Sequence, residues 1–180
     1  SQQIYLAPLE KMASGIVHGK QTSWFRSLFE GNLHRLPPLL AEYQGQEILA
    51  KTPSEITVAF YFKNTGSRDW VNFGDQCMSL FVSWEEGSSS YTLQKQYGIA
   101  EGTSLFYHPN WIDQYCPGHL QEKRVKPGEK STFICTLATK LSAGKYREDF
   151  GIATEHQWVD NIANGNKAHK AHCWIEITLP

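Results

Sequence analysis

From about residue 44 onward, apolar and polar residues alternate with a period of two. In Glu55–Lys63 (EITVAFYFK), Ile56, Val58, Phe60 and Phe62 fall on one side and Thr57, Ala59, Tyr61 and Lys63 on the other, as in a half-buried β-strand. Met78, Leu80, Val82 and Trp84 repeat the pattern in MSLFVSW. Phe133, Cys135 and Leu137 do so in STFICTL, and Cys173, Ile175, Ile177 and Leu179 in CWIEITL. Turn residues separate these runs: Asn64-Thr-Gly66, the Glu86–Ser90 stretch and Lys126-Pro-Gly-Glu129, whose Pro and Gly suit the two central positions of a type II turn. Several strands joined by turns, with no long helical pattern, predict an all-β antiparallel sandwich over residues 44–180.

Before residue 44 the texture differs. Thr22-Ser23 precedes WFRSLFE, where Trp24/Leu28 and Phe25/Phe29 recur at i,i+4 and Gly31 can cap the end, the pattern of a short amphipathic helix. Leu33, Leu36, Leu39 and Leu40 then flank Pro37-Pro38, which forces an extended path. Residues 1–43 therefore read as an arm, part helical and part extended, that packs on the domain or on a neighbour.

One strand breaks its own pattern. In Lys145–Thr154 (KYREDFGIAT), strict alternation puts Glu148 on the same face as Tyr146, Phe150 and Ile152. A carboxylate on a core face is costly unless hydrogen-bonded or paired. No second carboxylate has a spacing that marks it as a catalytic partner, so Glu148 is expected to be a structural acid held by backbone or side-chain donors.

Composition narrows the function classes. The chain has 180 residues, and its 17 Lys+Arg against 18 Asp+Glu leave no basic stripe, which argues against nucleic acid as a partner. No apolar run approaches the roughly 18 residues of a membrane-spanning helix, and SQQIYLAPLE lacks the basic start and apolar heart of a signal peptide. Cys77, Cys116, Cys135 and Cys173 are dispersed, with no C-x-x-C pair, which argues against a zinc ribbon or thioredoxin-type site. Two disulfides of an oxidising compartment fit this set, with three possible connectivities; four reduced thiols in a cytosolic core are the alternative. Strand parity places Cys135 and Cys173 on one core face and Cys77 nearer a rim within reach of Cys116, so the expected pairs are Cys77–Cys116 and Cys135–Cys173.

Four stretches, taken in order, carry a family resemblance. They are FKNTGSRDW (62–70), FYHPNW (106–111), VKPGEKSTF (125–133) and GKYREDF (144–150), the last followed by WVD (158–160). Together they resemble the immunoglobulin-like four-tryptophan domain, named from the autophagy cargo receptors, and are similar to related modules repeated in secreted surface proteins of small-genome bacteria. The resemblance covers about residues 46–180 and leaves the arm unexplained. It implies an immunoglobulin-like β-sandwich whose tryptophans are largely structural, and binding or scaffolding rather than catalysis. The cysteines do not belong to the family pattern, and a covalent staple favours the extracytoplasmic branch. In such a module the long aromatic loop FYHPNWIDQYCPG (106–118) covers an open end of the sandwich. Trp70, Phe106 and Trp111 are therefore expected to be structural, and Tyr107 and Tyr115, with their polar tips, to face outward.

Enzyme signatures are missing from the sequence: no G-x-S-x-G elbow, no phosphate-binding loop, no H-E-x-x-H and no catalytic-cysteine motif. His169, His172 and Cys173 form the most metal-like cluster, but on a strand the i and i+3 positions face opposite ways, so surface histidines are expected. Asp160–Asn166 (DNIANGN) offers oxygen ligands without the full calcium-loop spacing, and reads as a polar hairpin. No cofactor and no metal are expected. The leading expectation is a non-enzymatic extracellular structural or adhesive subunit of a cell-surface assembly, binding copies of itself or other surface proteins through sandwich and arm. A carbohydrate-binding module using Trp84 or Trp158 as stacking platforms, and a protein-binding adaptor domain with reduced cysteines, are the alternatives.

Overall fold

The computed structural model describes residues 39–83, 88–97, 104–155, 157–161 and 169–180. Its strands, in chain order, are β1 (Ala41–Lys51), β2 (Glu55–Asn64), β3 (Trp70–Val71), β4 (Ser79–Val82), β5 (Gly118–His119), β6 (Arg124–Val125), β7 (Lys130–Ala138), β8 (Gly144–Ala153), β9 (Asp160–Asn161), β10 (His169–Lys170) and β11 (His172–Leu179). A short helix, α1 (Ser89–Tyr97), lies between β4 and β5. One antiparallel sheet runs β1-β2-β7 and the other β11-β8-β4-β5. The fold is an all-β antiparallel sandwich, the class that the two-residue period predicts.

The alternating residues meet between the sheets. Phe60 of β2 packs on Phe150 of β8 with ring centroids 5.4 Å apart, and Phe62 meets Phe133 edge-on at 5.9 Å. Val58, Leu80, Cys135, Leu137, Ile152, Cys173, Ile175 and Ile177 complete the same buried cluster. Burial of each large apolar side chain contributes roughly 1.5–3 kcal/mol, which outweighs the weak intrinsic preferences of the strands.

Two loops lock this core. Asn64, fully buried, accepts the Gly66 N–H on Oδ1 (3.1 Å) and donates from Nδ2 to the carbonyls of Arg68 (2.7 Å) and Val125 (3.2 Å). At Lys126–Glu129 the Glu129 N–H donates to the Lys126 carbonyl at 3.0 Å, and Gly128 has φ +87°, the left-handed value that the third position of a type II turn requires. The Gly128 N–H in turn donates to the Asn64 carbonyl at 2.7 Å, tying turn and loop together.

The aromatic loop closes the edge of β7. Beyond β7 no further strand continues the first sheet, and its outward-pointing polar groups need partners. The Ala138 N–H donates to the Phe106 carbonyl (3.0 Å), Trp111 Nε1 donates to the Thr136 carbonyl (2.6 Å), and the Gln121 N–H donates to the Thr132 carbonyl (2.9 Å). The same segment pairs with β4 of the other sheet through Gly118↔Leu80 and His119↔Ser79. Gly118 thus sits where the two sheets meet, and a Cβ there would lie 2.5 Å from the Ile134 carbonyl oxygen. Phe106 and Trp111, 0% and 5% exposed, are the lid that the resemblance implies.

Two sequence expectations change. Leu39 and Ala41, placed with the arm, are buried in the core, and β1 already runs from Ala41. The switch in composition lies past the point where the chain has already entered the sheet. Residues 1–38, with the expected helix and Leu33 and Leu36, lie outside the described residues. Within the stretch expected as a turn, α1 begins at Ser89, and its start is held by Ser88: its Oγ accepts the Tyr91 N–H at 3.1 Å, the capping role for which serine is suited.

Replacing Gly118 by Ala is expected to destabilise the fold by about 1–3 kcal/mol, the usual cost of forcing an atom into a packed site. Gly144→Ala, whose Cβ would meet only the Tyr146 ring at 3.4 Å, is expected to cost less. Urea unfolding of the two variants beside the parent measures the difference.

Candidate functional site on the outer face of the four-stranded sheet

The outward positions of β11, β8, β4 and β5 bring chemistry-bearing side chains onto one face. Strand register puts Trp174 beside Asp149, His172 beside Gly151 and Phe81, and Ala153 beside Ser79 and His119. At one end Asp149 is the organising group. Its side chain has no exposure, yet two basic side chains meet it: Arg147 approaches in a fork, Nε to Oδ2 at 3.0 Å and Nη2 to Oδ1 at 2.8 Å, and His172 Nε2 meets Oδ1 at 2.7 Å. Burial pushes the Asp149 carboxyl up, but the hydrogen bonds from His172 and Arg147 and their charges outweigh it and hold it below the ordinary value.

That anchor orients an exposed ring. Trp174 is 41% exposed, with the His172 ring stacked at 5.3 Å and the Arg147 guanidinium 4.9 Å from its centroid. The sequence expectations passed over Trp174. Its signal was present, because it falls on the polar phase of CWIEITL and therefore had to point outward.

The middle of the face is apolar and self-filled. Phe81, Cys116, Ala153 and Trp158 pack together with Tyr115, and Phe81 meets Trp158 edge-on at 6.0 Å. Trp158, expected as an exposed stacking platform, is 5% exposed; a bridge between Ala153 and Trp158 folds it back over Phe81. Tyr115 is half-buried against the same cluster, and Gln114 Nε2 donates to its hydroxyl at 2.6 Å. Tyr107 does face outward at 43% exposure, edge-on to Trp111 at 5.7 Å. Trp84 lies outside the described residues.

At the far corner, His119 Nδ1 lies 2.6 Å from Ser79 Oγ and 3.4 Å from Cys77 Sγ. Burial raises the Cys77 thiol above its usual value, and pushes Cys116 up to about 12. Burial also lowers His119, although Asp113 and Glu155 oppose it. A protonated thiol beside a neutral imidazole is not an activated nucleophile. Among the described residues, no three His, Cys, Asp or Glu side chains stand together in a way that could hold a metal ion.

All four cysteines are free thiols in this structure. The members of the two expected pairs are nevertheless neighbours: Cys77 lies within electrostatic reach of Cys116, and Cys135 of Cys173, the latter two being buried in the core. His172 and Cys173 face opposite ways, outward to Asp149 and inward to the core, as alternation requires. The side chain of His169, the side chains of Asp160 and Asn161, and residues 162–166 of the calcium-like stretch lie outside the described residues. Trp70 is 1% exposed, in keeping with a structural part.

Glu148 lies on the inner face, fully buried, as alternation places it. It accepts hydrogen bonds from Ser90 Oγ and from Ser104 Oγ (2.7 Å), while its Oε1 has no partner. Burial pushes its pKa up to about 7, against the lowering effect of the two serines and of the Asp149 backbone N–H, while the Asp149 charge adds to the rise.

No family profile and no curated protein matches the sequence. Among solved structures, the chain is similar to β-glucosidase 3B from Thermotoga neapolitana, determined in complex with glucose, at 12% identity and a TM-score of 0.34. The match covers 78% of this chain and only 16% of the glucosidase chain. A likeness at that score bears on neither relationship nor activity. Among the described residues, no helix is long and apolar enough to cross a membrane.

Removing the Asp149 carboxylate leaves Arg147 and His172 against a buried apolar site. Asp149→Ala is therefore expected to lose roughly 3 kcal/mol at neutral pH, and Asp149→Asn less, measured by chemical unfolding. Because the folded carboxyl titrates below the ordinary 3.8, the stabilisation is complete above that value and disappears as pH falls through the lower folded one. The parent's acid limb should thus be steeper than that of either variant.

Proposed function

We propose that this chain is a non-enzymatic extracellular structural or adhesive subunit of a cell-surface assembly, built on an immunoglobulin-like module of the four-tryptophan type. The observation that carries the reading is the far end of β1. From Gln46 to Lys51 this edge strand is exposed throughout, with Ile48 at 55% and Leu49 at 46% exposure, while the rings of the aromatic loop and of Trp158 are largely used within the domain. An apolar pair on an unpaired edge needs cover, and another copy or a second surface protein supplies it. β1 shifts register at Tyr43/Gly45 and at Ile48/Ala50, and such bulges disfavour open-ended strand addition. Side-chain contact in a closed assembly fits this edge better than a fibre does.

The reading further expects, in an oxidising location, two disulfides where this structure holds four free thiols. Cys135–Cys173 would join the two sheets across the core, and Cys77–Cys116 would fix the aromatic loop to the strand it covers. A glycan-binding role is the second reading, and Trp174 is the observation that favours it; the ring for stacking is then Trp174 and not Trp158.

Intact mass and light scattering on one native sample test the main reading. The expected result is a mass about 4 Da below the reduced chain, two hydrogens for each bond, in a particle several times the chain's 20.5 kDa. The double variant Ile48→Lys/Leu49→Lys is expected to dissociate it while keeping the folded circular dichroism spectrum. A monomer with four free thiols would point to the intracellular adaptor instead. Loss of binding on a glycan array by Trp174→Ala, with assembly intact, would favour the glycan reading.

A further inference from the structure

β4 pairs with β8 as far as Val82 opposite Phe150, and the Ser83 N–H then donates to the Asp149 carbonyl at 2.7 Å; among the described residues no strand lies beside the first half of β8 on that side. The start of α1 and the Ser104–Phe106 segment fill the place with hydroxyl groups. The Arg147 N–H donates to Ser89 Oγ at 2.8 Å. Ser90 Oγ accepts the Leu105 N–H at 3.0 Å, and Ser104 Oγ accepts the Phe106 N–H at 3.0 Å. Each hydroxyl can accept from the loop because its own hydrogen is drawn to one oxygen, Glu148 Oε2. Glu148 therefore sits at the root of both hydroxyl contacts that join Ser90 and Ser104 to the start of the aromatic loop, beside the backbone bond from the Tyr107 N–H to the Ser104 carbonyl at 3.3 Å.

We propose that Glu148, Ser90 and Ser104 form a proton-operated latch that holds α1 and the root of the aromatic loop over the first half of β8. When Glu148 is protonated, the closed seam buries a neutral acid whose Oε2 still accepts both hydroxyls. When it is ionised, the closed seam buries a charge with one oxygen unpartnered, and opening lets water reach it. Opening also uncovers Phe106 and the first half of β8.

Other titratable and charged groups surround Glu148. Asp149, next on β8, is hydrogen-bonded to Arg147 and His172; its charge adds to the rise at Glu148 and its backbone N–H opposes that rise. Cys135, from β7 across the core, and Cys173 of β11 are held as thiols by burial. On α1, the Lys95 ammonium lies over the Tyr91 ring. From the loop, Tyr107 faces solvent and His108 meets Glu55 at 3.1 Å.

The direction follows from linkage. A carboxyl raised from 4.5 to about 7 in the closed state favours closure fully below 4.5, and that preference is lost as pH rises through about 7. Amide hydrogen exchange of Leu105, Phe106 and Arg147, corrected for the intrinsic rate, reads the opening equilibrium. Between about pH 5 and about pH 8 it is expected to rise by up to about 100-fold, while Val58 and Phe60 in the β2–β7 ladder change less. Glu148→Gln keeps an acceptor for the serines and is expected to flatten the profile. Ser104→Ala should raise exchange at Phe106 and keep the slope. A flat profile in the parent, an equal change at Val58 and Phe60, or a slope that persists in Glu148→Gln would each overturn the latch. Should Glu148→Gln fail to fold, the protonated-carboxyl infrared band of the parent decides: no such band in the folded protein at about pH 6 overturns it equally.

Discussion

The edge of β7 must be closed, and the rest of the structure depends on how this is done. An open edge would leave polar backbone groups without partners beside an apolar core, so the chain brings back a loop whose carbonyls, amides and one indole N–H meet them in turn. The same return segment pairs with β4, which makes it the seam between the two sheets. Its aromatic content follows from that position. A loop laid across the rim of a sandwich needs large apolar side chains on its inner side, and Phe106 and Trp111 supply them.

Closing the sandwich in this way commits α1 and the loop root to a neighbour they cannot avoid, Glu148. The acid breaks the apolar inner face of β8, and the three serines Ser89, Ser90 and Ser104 are grouped around that end of the strand. On the outer face Asp149 plays the opposite part. It is as buried as Glu148, yet fully partnered, and it stabilises its surroundings where Glu148 costs them. Two adjacent carboxyls on one strand are thus driven apart in character by the donors each can reach.

Some of the candidate site was legible before the fold was known. Alternation alone sent Glu148 and Cys173 inward and His172 outward, and it marked Trp174 as a ring facing solvent, although the reading settled on Trp84 and Trp158. The error at Trp158 has a physical origin. A tryptophan after a hairpin has no strand parity to fix its direction, and only the bridge to Ala153 folds it onto Phe81. The start of the sandwich was misplaced for a similar reason, since Leu39 and Ala41 look the same in sequence whether they cover a neighbour or enter a core.

The sequence by itself determined the class of fold, the strands β2, β4, β7, β8 and β11, the type II turn at Lys126–Glu129 and the inward phase of β2, β7, β8 and β11. These depend on short-range rules: side chains alternate every residue, and Pro-Gly fixes local backbone angles. Only the tertiary structure decided that Gly118 lies against the Ile134 carbonyl, that Arg147 and His172 converge on Asp149, and that Ser90 and Ser104 share Glu148. Those contacts join residues far apart along the chain, and a local pattern carries no information about which strand edges meet.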